Sequence, residues 1–148
     1  MNNFQRIVLA SRPQGVVSTD NFRLETVAVP EISDGQVLVR NHYLSLDPYM
    51  RGRISDAKSY AQGVNPGEVM VGGAIGEVIE SNSPDFKVGE TVLAATGWRL
   101  YGTINAKGVT KIEDGAQAPF ALVLAHHIGF DLATALHGPG QGGRVADQ

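Results

Sequence analysis

The sequence predicts a mainly β fold, a barrel of short strands, followed by one helix. Three observations point that way. Thirteen of the chain's 18 glycines and five of its 7 prolines fall in the first 116 residues and cut them into short segments, the punctuation of an all-β barrel rather than of alternating strands and helices. The segments between them carry the β-branched and aromatic bias of strands. After Gly115 the apolar residues switch to a helical spacing.

Taken in order, residues 5–10 and 22–29 read as the first two strands, separated by Arg12-Pro13-Gln14-Gly15, which has turn chemistry. Residues 31–35 make the next turn. Residues 36–44, with Val37, Leu38, Val39, Tyr43 and Leu44, form a strand that Pro48 must stop, because proline cannot donate to a ladder. The polar, glycine-containing stretch 55–66 has the composition of a flexible flap. Residues 69–79 make a long apolar run in which Gly72, Gly73 and Gly76 permit the bulges that bend a strand around a barrel. Lys87-Val88-Gly89-Glu90 is a hairpin-like turn ahead of a strand at 91–95, and residues 101–104 and 109–112 are expected to pair with each other and close the set. From 118 to 136 a first-turn Pro119 and a mostly apolar stripe running from Phe120 to Leu136 predict a helix, broken at Gly129. The expected organisation is therefore a barrel domain at 1–116, a helical segment at 117–137 and a mobile Gly-rich tail at 138–148.

Composition narrows the functional classes. With 148 residues, 43% of them apolar, the chain can bury one ordinary core. A net charge of −3, with scattered lysines and arginines, offers no basic surface for nucleic acid. There is no cysteine, so disulfides and thiolate zinc sites are excluded. The adjacent His126 and His127 cannot both aim at one ion from a helix face, and no metal is expected at these residues or at His42 and His137. No apolar stretch is long enough to span a bilayer and the first residues are too polar for a secretory signal, which makes the cytoplasm the expected compartment. Gly138, Gly140 and Gly143 satisfy G-x-G-x-x-G, but a dinucleotide fingerprint needs a strand before it and a helix after it.

Chemistry concentrates at the corner after residue 44. Tyr49 and Met50 leave the sheet beside Pro48, and a phenol anchored there can hydrogen-bond a carbonyl while its ring packs on a flat ligand. Capping of a barrel end is the competing role. Met50 would supply an adaptable apolar wall. Tyr60, in the 55–66 stretch, is either a second substrate-facing aromatic or a surface loop residue. Asp47 and Arg51 are expected to brace the corner, touching each other if the turn is helical. Trp98 is expected in barrel packing or at the border of the same cleft.

The segment Tyr43 to Arg53, with its specific string Leu44-Ser45-Leu46-Asp47-Pro48-Tyr49-Met50-Arg51, together with Ala10-Ser11-Arg12-Pro13, Met70-Val71-Gly72-Gly73, Gly97-Trp98 and Tyr101, resembles the zinc-independent, medium-chain NADPH-dependent reductases. Within them it is similar to the curcumin and 2-alkenal reductases, which include prostaglandin and leukotriene B4 reductases. The likeness runs from about Ile7 to Leu124 and departs from the family at 122–134, where a Gly-Met-Pro-Gly-type loop would lead into the cofactor domain. The resemblance implies a partly open barrel similar to the GroES fold. It also implies a following Rossmann domain, which this sequence is expected to lack. The implied activity of the full-length parent is hydride transfer from NADPH to the C=C bond of an α,β-unsaturated ketone or aldehyde, with quinones as further candidates. Tyr49 would be the catalytic and substrate residue, with Met50 and Tyr60 at the substrate. NADPH would bind through the missing domain, and this piece alone is expected to be inactive and to bare part of its apolar face. The rival class is a non-enzymatic barrel for binding or assembly, similar to GroES itself.

Overall fold

The computed structural model describes residues 3–56 and 62–112. Strands β1 (Asn3–Leu9) and β2 (Phe22–Ala28) pair antiparallel, Leu9 opposite Phe22 and Phe4 opposite Val27. Strands β3 (Gln36–Leu44), β4 (Ala74–Ser81), β5 (Thr91–Ala94), β6 (Tyr101–Asn105) and β7 (Val109–Lys111) form an antiparallel sheet in the order β6-β3-β4-β5-β7. One short helix, α1 (Tyr49–Arg53), follows β3. The expected mainly β, partly open barrel of GroES type is what forms. The expected helix at 117–137, the tail at 138–148 and Tyr60 lie outside the described residues.

The order of strands corrects one expectation. The strand at 101–104 does not pair with that at 109–112. Instead β6 pairs with β3 and β7 with β5, at opposite edges of the sheet. Only the single turn Ala106–Gly108 joins them. Four interstrand spacings would hold the edges of a flat sheet about 19 Å apart, whereas four Cα–Cα steps reach at most about 15 Å when fully stretched. The sheet must therefore curl until its edges approach.

Two register shifts supply the bend. Ile79 is the extra residue on β4 opposite Leu38 and Val39, and His42 is the extra residue on β3 opposite Gly76 and Ile75. The expected 69–79 strand divides before Ala74. Its second half is β4. Its first half leaves the sheet to run between β1 and the segment at 97–98, with Met70 N–H donating to the Ile7 carbonyl at 3.1 Å and Trp98 N–H to the Met70 carbonyl at 2.9 Å.

Alternation along β3 explains the layers. Val37 and Val39 are fully buried inside the curl with Val78, Phe86, Val92 and Ala106. Leu38, on the opposite face, packs with Phe4 and Tyr101, whose rings meet edge to face at 5.7 Å. A third cluster, Leu9, Ile54, Val64 and Met70 with Phe22 and Trp98, lies under α1. Trp98 stacks on Phe22 at 5.5 Å, so it takes the packing role expected of it.

Candidate functional site

The corner after β3 is a helical turn, sharper than the loop its residues suggest. Pro48 sits at its start with φ −57° and ψ −30°, so the ring pre-forms the helical backbone. The Ser45 N–H donates to the Gly73 carbonyl at 2.9 Å, fastening the end of β3 to the glycine pair before β4. Ser45 Oγ donates to Asp47 Oδ1 at 2.9 Å. Arg51 reaches the other way and donates to the Gly15 carbonyl at 3.0 Å. Asp47 and Arg51 thus brace the corner through separate partners rather than through each other.

A four-residue period divides the helix. Met50 and Ile54 are 6% and 2% exposed and face the core, while Tyr49, 48% exposed, and Arg53 face out on the other side. The Arg53 guanidinium carbon lies 5.4 Å from the Tyr49 ring centroid, and its Nη1 donates to the Gln62 carbonyl at 3.0 Å. Tyr49 and Arg53 form one wall of a cleft of about 270 Å³. The segment 69–73 makes its floor, and residues 95–97 with Arg99 make the far wall. Met50 is not among the lining residues. Its methyl group lies beneath Gly72, and the methionine that borders the cleft is Met70.

The far wall is held by a buried polar network. Thr96, 1% exposed, donates its hydroxyl to Asn41 Oδ1 at 2.8 Å, and Asn41 Nδ2 donates to the Arg99 carbonyl at 2.8 Å. Arg99 Nε donates in turn to the Thr96 carbonyl. Gly97 has φ +77°, and a Cβ there would stand 2.5 Å from the Met70 carbonyl oxygen, so only glycine lets this loop lie against the floor.

Burial raises the Tyr49 phenol above its usual value of 10.0, with Asp47 adding to the rise and Arg53 opposing it. The phenol therefore stays protonated at neutral pH and is a hydrogen-bond donor. A group whose pKa is raised on folding contributes stability that is full below the unfolded value and is lost as pH climbs through the folded one. The stability difference between the wild type and Tyr49→Phe is accordingly expected to stay constant from neutral pH to 10.0 and to turn against the wild type above it. Urea unfolding across that range checks this, and a difference that shifts near neutrality would contradict it.

Residues 5–112 match the family described as the N-terminal domain of oxidoreductase. The chain belongs to that family. This oxidoreductase domain is 50% identical over 115 residues to the NADPH-dependent curcumin reductase of Escherichia coli K12, a match covering 78% of the chain and 33% of that protein. It is 34% identical to the NADP(+)-dependent 2-alkenal reductase of Nicotiana tabacum, covering 74% of the chain and 34% of the relative. Among solved structures it is similar to CurA from Vibrio vulnificus in complex with NADPH, with TM-score 0.75 and 46% identity over 81% of the chain and 35% of CurA. The chain spans about a third of the length of these relatives.

Within the oxidoreductase domain, Gly73 lies on the cleft together with Tyr49. A Cβ added at Gly73 would meet nothing within 4 Å, so bare backbone borders open space beside Tyr49. Among the described residues no strand, glycine-rich turn and helix follow one another as a pyrophosphate site requires. Nor do three His, Cys, Asp or Glu side chains come together there as a metal site. No described helix is long and apolar enough to cross a membrane. Sequence reasoning passed over Asn41, Arg53, Thr96 and Arg99. The one signal was the i, i+4 spacing of Tyr49 and Arg53, which becomes informative once the corner is known to be helical.

Proposed function

We propose that this domain forms the substrate wall of an NADPH-dependent reductase that reduces the C=C bond of α,β-unsaturated ketones and aldehydes. The observation that carries the reading is a protonated, half-exposed phenol bordering a cleft that has open space at Gly73. The names of the relatives, a curcumin reductase and a 2-alkenal reductase, support it. NADPH, bound mainly by a partner domain, supplies the hydride that adds to the β-carbon. Negative charge then grows on the substrate carbonyl oxygen, and Tyr49 donates a hydrogen bond aimed at it. Tyr49 in this reading orients and polarises the substrate, its phenol being protonated at neutral pH. Arg53 stacks its guanidinium against the Tyr49 ring and Met50 lies against Gly72; Tyr60, outside the described residues, is the second aromatic substrate contact that the family resemblance implies.

In the full-length enzyme carrying this domain, Tyr49→Phe is expected to lower kcat/KM for enones about tenfold, equivalent to about 1.4 kcal/mol of lost transition-state stabilisation. Unchanged kcat/KM across several enones would remove Tyr49 from the mechanism. The 148-residue chain alone is expected to show no reductase activity. Steady NADPH-dependent loss of enone absorbance with the purified chain would refute that.

A further inference from the structure

We propose that Arg99 makes an anion subsite in the Tyr49 cleft that receives a carboxylate carried on the tail of the enone substrate. This rests on the reading of the cleft as the enone site. Arg53 and Arg99 line the cleft, and no Asp or Glu among the described residues does. Three other arginines of the described residues pair with a carboxylate: Arg6 and Arg23 share Glu25 at 2.9 and 2.8 Å, and Arg12 pairs with Asp56 at 2.8 Å. Among the described residues Arg53 and Arg99 make no such pair, and of the arginines without one they are the two that line this cleft. Arg53 spends its charge on a backbone carbonyl and the Tyr49 ring.

Arg99 is the more telling case. It is partly buried, and its backbone is bridged to that of Arg6, another cation. Burial, with a smaller push from Arg6, lowers its affinity for its proton. Holding a cation partly out of water beside a like charge is costly unless something negative completes it. Among the described residues its side chain donates from Nε to the Thr96 carbonyl, and Thr96 is itself fixed by Asn41. That bond sets the plane of the guanidinium, and among the described residues neither Nη group has an acceptor. The two parallel N–H groups of a guanidinium end match the two oxygens of a carboxylate, a charge-assisted and geometrically selective pairing.

The same donors would accept a phosphate, so the test separates the two sources. The probes are a straight-chain trans methyl enone ending in a carboxylate, its methyl ester, and inorganic phosphate, each titrated into the isotopically labelled 148-residue chain. The carboxylate is expected to perturb the amides of residues 96–99 with at least about tenfold tighter binding than the ester. Arg99→Gln is expected to collapse that ratio to about one, and Arg99→Lys, which keeps the charge but not the fork, to retain part of it. Equal binding of acid and ester overturns the proposal. So does a ratio untouched by Arg99→Gln, and so does phosphate binding at residues 96–99 as tightly as the carboxylate, which would make the site one for a cofactor phosphate. Turnover by the full-length enzyme is read separately. Selective carboxylate binding without reduction of either enone would retain the subsite and sink the reductase reading.

Discussion

Gly76→Ala is expected to destabilise the barrel by about 3 kcal/mol, the upper end for forcing an added group into a filled site. The cause is contact, not backbone strain. A Cβ at position 76 would stand 2.2 Å from the Arg40 carbonyl oxygen, 2.9 Å from the Arg40 carbonyl carbon and 2.7 Å from Val39 Cγ1. Two of these neighbours are backbone atoms of β3 and cannot rotate away. Gly76 pairs with Asn41 beside the register shift at His42, so the strands come close where the sheet bends most. Alanine there must pry β3 from β4 at the centre of the sheet. Gly73→Ala is the control, since its Cβ would meet nothing within 4 Å, and it is expected to shift stability by less than about 0.5 kcal/mol. Urea unfolding of both variants decides the matter. Equal midpoints would show that the sheet yields at Gly76, and the close-approach account of the bend would fall.

Asn41→Leu is expected to cost about 3 kcal/mol and to loosen the far wall of the cleft. Leucine keeps the volume but strands the Thr96 hydroxyl and the Arg99 carbonyl, and each buried polar group left without a partner costs about 1–3 kcal/mol. The effect should be coupled. Adding Thr96→Val removes one stranded group, so the double variant is expected to be more stable than the sum of the single changes allows. Strict additivity would mean that the Thr96 to Asn41 bond does not hold the loop. Because Arg99 is positioned through Thr96, Asn41→Leu is also expected to weaken carboxylate binding at residues 96–99 while α1 stays in place.

Much of the architecture was legible in the chain because its signals are local. The bias of 36–44, the turn chemistry of Arg12-Pro13-Gln14-Gly15 and the stop at Pro48 each depend on neighbours a few residues away, and the strands at 22–28, 36–44 and 91–94 follow them closely. The direction of Met50 was not legible. A five-residue helix is barely more than one turn, too short for a period to show which side faces the core.

By itself, then, the sequence determined a glycine-punctuated β domain with a rigid polar corner carrying Tyr49, since strand bias, turn residues and proline act through the local backbone. Only the tertiary structure decided that β6 and β7 occupy opposite edges and that the wall holding Asn41, Thr96 and Arg99 faces Tyr49 and Arg53. The reason is distance along the chain. Asn41 and Thr96 lie 55 residues apart, and they meet because a short turn between edge strands makes the sheet curl, a constraint that no local pattern encodes.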